Sequence, residues 1–207
     1  KFLNKHQLFP PVSQSTEDGL LAFGGDLSPE RLLSAYQNGI FPWFEDDNTI
    51  LWWSPDPRFV LFPSKLKVSK SMKQVLRNCD FEVTVNKNFN AVINECAKAK
   101  RPGQDSTWIT NGMVEAYNTL HQLGFAKSVE VWQDQKLVAG LYGVDLNNGV
   151  FCGESMFTKV SNASKAGFIT FIQNSNYKLI DCQVYTNHLE SLGAEDIPRD
   201  EFLKYLG

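Results

Sequence analysis

Hydrophobic and polar positions divide the chain into a loop-rich first part and a second part with regular periodicity. In residues 1–62, glycines, prolines and aromatic residues interrupt the apolar positions. One clear helix is predicted there, with Ser28 as its N-cap, Pro29 at its first position and Gly39 at its end. The neighbours of this helix are predicted to be mostly loop. We therefore expect a small N-terminal α/β domain over residues 1–62 and a larger domain over residues 63–207.

The second part alternates between helical and strand periodicity. Its first helix, from about Ser69, has Met72, Val75 and Leu76 on one face. The opposite side, called the basic face below, consists of Lys70, Lys73 and Arg77. The elements predicted after it are a strand at 81–85, helices at about 89–96 and 113–120, strands at 128–132, 137–146 and 150–156, a helix at 163–174, a strand at 178–184, a short helical stretch to 193 and a helix from about 199.

Two groups of polar residues interrupt the apolar strands of this second part. Glu154 follows an apolar run in the strand 150–156, and Asp181 and Gln183 lie between apolar residues of the strand 178–184. Burying an unpaired carboxylate is costly. In a regular strand residues two apart share a face, so Asp181 and Gln183 would point the same way, with Cys182 opposite. These residues predict a joint polar site, and a structural hydrogen-bond network or a surface strand end is the alternative.

Composition is that of an ordinary globular protein. The 207 residues are 43% hydrophobic, enough to bury a sizeable core in one large domain or two small ones. The formal net charge of -3 does not indicate a nucleic-acid binder, although a local basic face can serve on an acidic protein. No apolar run reaches membrane-spanning length and the N-terminus does not resemble a secretory signal, so we expect a cytoplasmic protein. The four cysteines have no C-x-x-C spacing, which predicts reduced thiols rather than a zinc or redox motif.

The predicted order of elements is similar to the GNAT acyltransferase fold: an α+β arrangement with a mixed, mainly antiparallel sheet. Topology alone does not establish function. In that fold the strands corresponding to 150–156 and 178–184 diverge, and the acyl donor lies in the gap, which Glu154, Asp181 and Gln183 would line. Coenzyme A members carry a glycine-rich loop before the next helix, whereas residues 158–165 contain no glycine. A coenzyme A donor is therefore disfavoured.

Four of the five tryptophans lie in or beside predicted loops. Loop aromatics offer flat faces to ligands, and stacking under a nucleobase contributes about 1 to 3 kcal/mol. Packing between the two parts of the chain is the other interpretation. We expect packing for Trp52 and Trp53, and both interpretations stay open for Trp43 and Trp108.

Long motifs extend over nearly the whole chain. They are GLLAFGGDLSP at 19–29, GIFPW at 39–43, WWSPDPR at 52–58, TWIT at 107–110, SVEVW at 128–132, GESMF at 153–157, NASK at 162–165, LIDCQ at 179–183 and SLGA at 191–194. In sequence and order these motifs resemble the bacterial leucyl/phenylalanyl-tRNA protein transferases. The departures are small: the stretch between Lys165 and Leu179 is shorter than usual, and Gln74 and Asn78 lie where some members have basic residues.

The resemblance implies transfer of Leu or Phe from aminoacyl-tRNA to an acceptor protein with N-terminal Arg or Lys, which marks that protein for degradation. It implies no metal and no diffusible cofactor. Aminolysis of an ester needs a positioned amine, loss of its proton and a stabilised oxyanion. By family position Asp181 and Gln183 act on the amine, with the charge of Asp181 favouring the cationic acceptor; which of the two contacts the proton stays open. Glu154 would hold the ammonium of the donor.

The resemblance also implies the donor contacts. Trp43 and Trp108 match the aromatics that flank the 3'-terminal adenosine. Leu141, Phe151 and Met156 are candidates for the pocket that takes the donor side chain, although core packing explains each equally well. The basic face of the first helix would contact tRNA phosphates, with a solvated helix face as the alternative.

Three other functions share parts of this pattern. A coenzyme A N-acetyltransferase would need the missing glycine-rich loop. A peptide-bridge transferase of the cell wall uses aminoacyl-tRNA on the same type of fold, but the motifs argue against it. A non-catalytic RNA- or degron-binding module would leave Asp181 and Gln183 without a function.

Two further expectations concern oligomeric state and the histidines. We expect a monomer, and we assign none of His6, His121 and His188 as a general base.

Overall fold

The structure, a computed structural model, describes residues 1–5, 7–45, 47–78, 80–99 and 109–207. These residues form a four-stranded sheet and a seven-stranded sheet, with helices packed around them.

The N-terminal part contains the predicted helix and the smaller sheet. Helix α1, Pro29–Gln37, begins where the Ser28 side chain accepts a hydrogen bond from the backbone N–H of Arg31, and Gly39 follows it with a φ of +70°. The strands are β1 Phe2–Leu3, β2 Leu20–Gly24, β3 Phe41–Pro42 and β4 Leu51–Trp53, in the order β1-β2-β4-β3. The loop predicted for these residues is wrong, because strands of two to five residues are too short to show an alternation.

The larger sheet contains the five strands predicted between residues 81 and 184 and two strands that the sequence analysis did not predict. Its strands are β5 Arg58–Leu61, β6 Glu82–Val85, β7 Ala126–Gln133, β8 Lys136–Asp145, β9 Val150–Thr158, β10 Leu179–Gln183 and β11 Glu195–Ile197, in the order β11-β5-β10-β9-β8-β7-β6. Of the described pairs in this sheet only β9 and β10 run parallel, so the sheet is mixed and mainly antiparallel, as predicted. Strand β5 lies before residue 62, so the larger sheet includes a segment that the predicted boundary assigned to the N-terminal domain.

Helices cover both faces of the larger sheet. They are α2 Lys70–Asn78, α3 Phe89–Lys98, α4 Asn111–Gln122, α5 Ala163–Gln173, α6 Asn187–Ser191 and α7 Arg199–Leu206. Alternation along β8 separates the faces: Leu141 packs with residues of α5 in one buried cluster, and Tyr142 packs with residues of α3 and α4 in the other. None of the helices that the structure describes is both long enough and apolar enough to cross a membrane.

The cluster around α3 and α4 continues into the N-terminal part. Tyr36 of α1 and Trp52 of β4 belong to it, together with Tyr117 of α4. Trp52 is completely buried, which confirms the packing role predicted for it. The two sheets therefore share one core.

Strands β9 and β10 diverge after a short paired segment. They pair in parallel as far as Asp181 and Cys152. Beyond that point β9 continues along β8, whereas Gln183 of β10 pairs with Phe59 of β5 after a register shift. The gap predicted from the order of elements therefore opens next to Gln183.

Candidate active site

A cavity of about 510 Å³ lies at the gap between β9 and β10. Its volume falls in the range of small-molecule sites, roughly 300 to 1,000 Å³. Most of its lining is apolar and comes from β3, β8, β9, β10 and α5, and its carboxyl, amide and imidazole side chains are Glu154, Asp181, Gln183 and His188. Such a lining suits an apolar group that a few polar contacts orient.

Asp181 is paired with an arginine that the sequence analysis did not single out. Arg58 Nε donates to Asp181 Oδ1 at 2.8 Å, and Arg58 Nη2 donates to Asp181 Oδ2 at 2.7 Å. Both side chains are buried. Burial lowers the pKa of Arg58 and the carboxylate of Asp181 raises it, and the net direction is upward. The charge of Asp181 is thus balanced inside the protein, which argues against its predicted use in attracting a cationic acceptor.

Gln183 lies on a bulge that interrupts the regular alternation expected for β10. Its φ is +65°, and its backbone N–H donates to Asp181 Oδ1 at 2.9 Å. Its side-chain Nε2 donates to Glu154 Oε1 at 2.6 Å. Asp181, Gln183 and Glu154 are therefore brought together as predicted, but through a backbone contact and a turn rather than along one face of a strand.

Glu154 has one engaged and one free oxygen. Its Oε1 accepts from Gln183 and from the hydroxyl of Tyr36, which lies 2.7 Å away. Its Oε2 is buried and has no hydrogen-bond partner among the described residues. Burial raises the pKa of Glu154 from 4.5 to about 8. At neutral pH the carboxyl of Glu154 is therefore largely protonated, and its Oε2 can bind a ligand.

Two buried tyrosines support Glu154 from behind. The hydroxyls of Tyr36 and Tyr117 are hydrogen-bonded to each other. The Tyr36 hydroxyl donates its one proton to Glu154, so in the hydrogen bond between the two tyrosines Tyr117 is the donor and Tyr36 the acceptor. Burial raises the pKa of each phenol well above its usual value, so both keep their protons. Their positions on α1 and α4 match ordinary core positions in the sequence, and no local motif distinguishes them.

The apolar wall contains all three residues predicted for the donor side chain. Leu141, Phe151 and Met156 line the cavity. Phe151 is completely buried and also packs edge-on against Phe171, so it supports the wall from the core side. Further apolar lining that the sequence analysis missed comes from Phe41, Phe157, Phe168, Ile180, Val184 and Leu189.

Trp43 lies at the edge of the cavity. Its side chain is 41% exposed, and its backbone carbonyl accepts a hydrogen bond from the indole of Trp53 at 2.7 Å. The ring centroids of the two indoles are 5.7 Å apart, so Trp53 packs against Trp43 within the N-terminal part. Trp108, the second predicted adenosine contact, lies outside the described residues.

His188 of α6 lines the cavity, although no histidine was assigned a role from the sequence. Its Nε2 is buried without a hydrogen-bond partner among the described residues. Burial, and then the charge of Lys165, lower the pKa of the imidazole, which favours the neutral form.

Two observations concern possible metal ligands and thiols among the described residues. No three His, Cys, Asp or Glu side chains of those residues group so as to hold a metal ion. Burial raises the pKa of the thiols of Cys152 and Cys182, so both stay protonated.

The basic face lies outside the cavity. Lys70, Lys73 and Arg77 are exposed on α2, whereas Met72 is buried on the opposite side, as the periodicity predicts. Met72 packs in the same cluster as Phe168 of α5, which lines the cavity. The helix that carries the basic face is therefore fixed to the helix that forms one cavity wall.

Comparison with known proteins adds family membership to this geometry. Residues 60–207 match the family model of leucyl/phenylalanyl-tRNA protein transferase, and residues 25–56 match the model of its N-terminal domain. Among curated relatives, the leucyl/phenylalanyl-tRNA protein transferase of Flavobacterium johnsoniae is 59% identical over 99% of this chain and 98% of its own length. That of Syntrophus aciditrophicus is 58% identical over 97% of this chain and 84% of its own length.

A solved GCN5-related N-acetyltransferase from Kribbella flavida aligns with a TM-score of 0.40 and 13% identity, over 84% of this chain and 63% of that chain. The sequence matches are much stronger than this structural match. The two family models together extend over nearly all of the chain, and so do relatives in which more than half of the aligned residues are identical. The chain belongs to the leucyl/phenylalanyl-tRNA protein transferase family.

Proposed function

We propose that this cavity transfers Leu or Phe from aminoacyl-tRNA to the N-terminal amine of an acceptor protein that begins with Arg or Lys, which marks the acceptor for degradation. Family membership supports the reaction class. The observation that carries the assignment to this site is the buried Oε2 of Glu154 beside the Gln183 amide, for which the described residues offer no hydrogen-bond partner. Since aminoacyl-tRNA is used in translation, we place the reaction in the cytoplasm.

The apolar wall and the edge of the cavity suit the two ends of the donor. Leu141, Phe151 and Met156 would surround the Leu or Phe side chain, which explains a preference for apolar donors. Trp43 would stack on the 3'-terminal adenine, because its ring is partly exposed at the edge and supported by Trp53. Trp108 is proposed for the other face of the adenine on the resemblance alone.

Glu154 would hold the α-ammonium of the aminoacyl group through Oε2. A cation placed against a carboxyl favours its ionised form, so donor binding would lower the pKa of Glu154 from about 8. The hydrogen bonds from Tyr36 and Gln183 already serve Oε1, so Oε2 is free for this contact. The carboxyl thus becomes charged when its partner arrives.

Gln183 would orient the attacking amine. Its Nε2 donates to Glu154, and the described residues place no donor on its Oε1, which can accept an N–H from the acceptor. The amine nitrogen forms a bond to the ester carbonyl carbon, the bond from that carbon to the ribose oxygen breaks, and the proton lost by the amine ends on the released ribose hydroxyl. Asp181 takes part through the backbone N–H of Gln183.

The basic face would bind phosphates of the tRNA body. Lys70, Lys73 and Arg77 are exposed on α2, and no ion pair to any of the three is found within the described part of the chain. Phosphate contacts by such side chains release counterions and make affinity depend on salt.

A transfer assay tests the proposal. Labelled Phe-tRNA and a peptide that begins with Arg should give a labelled peptide, and the same peptide with an acetylated N-terminus should give none. Acetylation of the peptide from acetyl-CoA would favour the N-acetyltransferase alternative. Binding of both substrates without transfer would favour the non-catalytic module.

A further inference from the structure

Arg58 is a charged side chain that lies behind the cavity rather than in its wall. Besides its two bonds to Asp181, its Nη1 donates to the backbone carbonyl of Gly39 at 3.0 Å. The guanidinium carbon lies 4.8 Å from the ring centroid of Phe41 and 4.6 Å from that of Phe202. Hydrogen bonds on its edges and two aromatic rings therefore fix the orientation of the guanidinium.

We infer that Arg58 is a positioning residue for the transfer: it fixes Gln183 through Asp181 and fixes the donor wall through Phe41. The inference rests on the proposed function, which gives those two places their meaning. Arg58 itself is not among the residues that line the cavity.

The link to Gln183 passes through one oxygen. Asp181 Oδ1 accepts from Arg58 Nε and from the backbone N–H of Gln183. A residue other than glycine with a φ of +65° adopts that conformation at a cost and needs contacts that hold it there. If Asp181 rotates, Gln183 loses its backbone acceptor and its amide no longer meets Glu154 in the same geometry.

The link to the donor side passes through β3. Phe41, one of the two rings that enclose the guanidinium, lines the cavity and is followed by Pro42 and Trp43. The carbonyl of Gly39, just before β3, accepts from the same guanidinium. One side chain thus sets the distance between the donor wall and the Gln183 amide.

Stability alone is a weak reason for this arrangement. Well-packed apolar residues often replace a buried ion pair without loss of stability, because desolvation offsets the attraction of the charges. Apolar residues cannot replace the planar guanidinium in one respect. It donates two parallel hydrogen bonds to a carboxylate and a third hydrogen bond to a backbone carbonyl at the same time.

Arg58→Lys tests the inference, because lysine keeps the charge and loses the fork. Single-turnover transfer at saturating Phe-tRNA and Arg-peptide should slow by about 10- to 100-fold, as expected when reacting groups are misplaced. The apparent KM for Phe-tRNA should change much less, since the basic face is untouched. In Arg58→Lys/Asp181→Asn the rate should fall no further than in the slower single variant, because both act along one path.

Arg31→Lys is the matched control. Arg31 is also buried, lies 5.4 Å from the ring of Phe9 and donates to three backbone carbonyls, but it does not line the cavity or contact Asp181. A general loss of packing should affect both variants in thermal unfolding, whereas only Arg58→Lys should slow the single-turnover step.

A second variant and a spectroscopic readout cover the case in which Arg58→Lys does not fold. Phe202→Leu removes one of the two rings that orient the guanidinium, so the guanidinium and its bonds to Asp181 should shift while both charged side chains remain. The 15N side-chain amide signal of Gln183, assigned by its loss in Gln183→Glu, should shift in Phe202→Leu and stay in place in Arg31→Lys.

Three results would overturn the inference. They are a wild-type transfer rate in Arg58→Lys, rate losses that multiply in the double variant, and an unmoved Gln183 signal in Phe202→Leu. Failure of the proposed function is a separate result, seen as absence of transfer by the wild-type protein.

Discussion

Glu154→Gln isolates the effect of the buried carboxyl on stability. Glutamine keeps the shape of the side chain and an oxygen for Tyr36 and Gln183, but it cannot ionise. In the folded protein burial raises the pKa of Glu154 from 4.5 to about 8. Between these values the folded state holds a proton that the unfolded chain has released, so the stabilisation is complete below pH 4.5 and is lost as the pH rises through 8.

The magnitude follows from the two pKa values. At about 1.4 kcal/mol per pKa unit, this contribution to the free energy of unfolding falls by about 2 kcal/mol between pH 6 and pH 8. The Gln variant lacks it. His188, Tyr36 and Tyr117 are present in both proteins, so their own titration largely cancels in the comparison. The wild type should therefore lose about 2 kcal/mol more than the variant over this interval.

Urea unfolding at pH 6, 7 and 8, followed by far-UV circular dichroism and tryptophan fluorescence, measures the difference. Glu115→Gln, at an exposed position on α4, controls for the loss of one negative charge and should follow the wild type. If wild type and Glu154→Gln lose the same free energy between pH 6 and pH 8, Glu154 is ionised throughout. The account of its burial would then be refuted.

Binding of a non-hydrolysable phenylalanyl-adenosine should release a proton near pH 7, because its ammonium lowers the pKa of Glu154. Calorimetry in buffers of different ionisation enthalpy measures this release, and an equal release by Glu154→Gln would contradict the assignment. Trp43→Ala should weaken binding of the same compound by about 1 to 3 kcal/mol and Trp43→Phe by less, as followed by fluorescence titration; unchanged affinity would make Trp43 a packing residue. Replacing Lys70, Lys73 and Arg77 by Gln should raise the apparent KM for aminoacyl-tRNA and reduce its salt dependence by up to about three phosphate contacts, with little effect on an aminoacyl-adenosine donor. An unchanged salt slope would remove α2 from the tRNA interface.

Long elements could be predicted from the sequence because their periodicity repeats enough times to be recognised. Helix α3 buries Phe89, Val92, Ile93 and Cys96 on one face, as the spacing indicates. Strands β7, β8 and β9 and the turns between them also follow the predicted order. The short strands of the N-terminal sheet and β11 carry too few residues to show a pattern, and pairing with neighbours rather than local preference makes them strands.

The carboxylates of the site could be selected from the sequence, but the residues that form hydrogen bonds with them could not. A carboxylate in an apolar strand stands out, which is why Glu154 and Asp181 could be selected. Arg58 lies in a motif, but its pairing with Asp181 joins residues far apart in the chain and depends on β5 lying next to β10. The bulge at Gln183 likewise arises from that pairing. Tyr36 has the spacing of an ordinary core residue on α1.

The core shared by the two sheets joins the N-terminal segment of the chain to the segment that follows it. The two family models meet between residues 56 and 60, yet Phe41 and Tyr36, from the first segment, contact Arg58 and Glu154, which belong with the second sheet. A fragment limited to residues 60–207 would expose a face of α4 and would lack one side of the cavity. Recombination of one segment with a foreign partner would have to preserve these contacts, so we expect the two segments to fold as one cooperative unit.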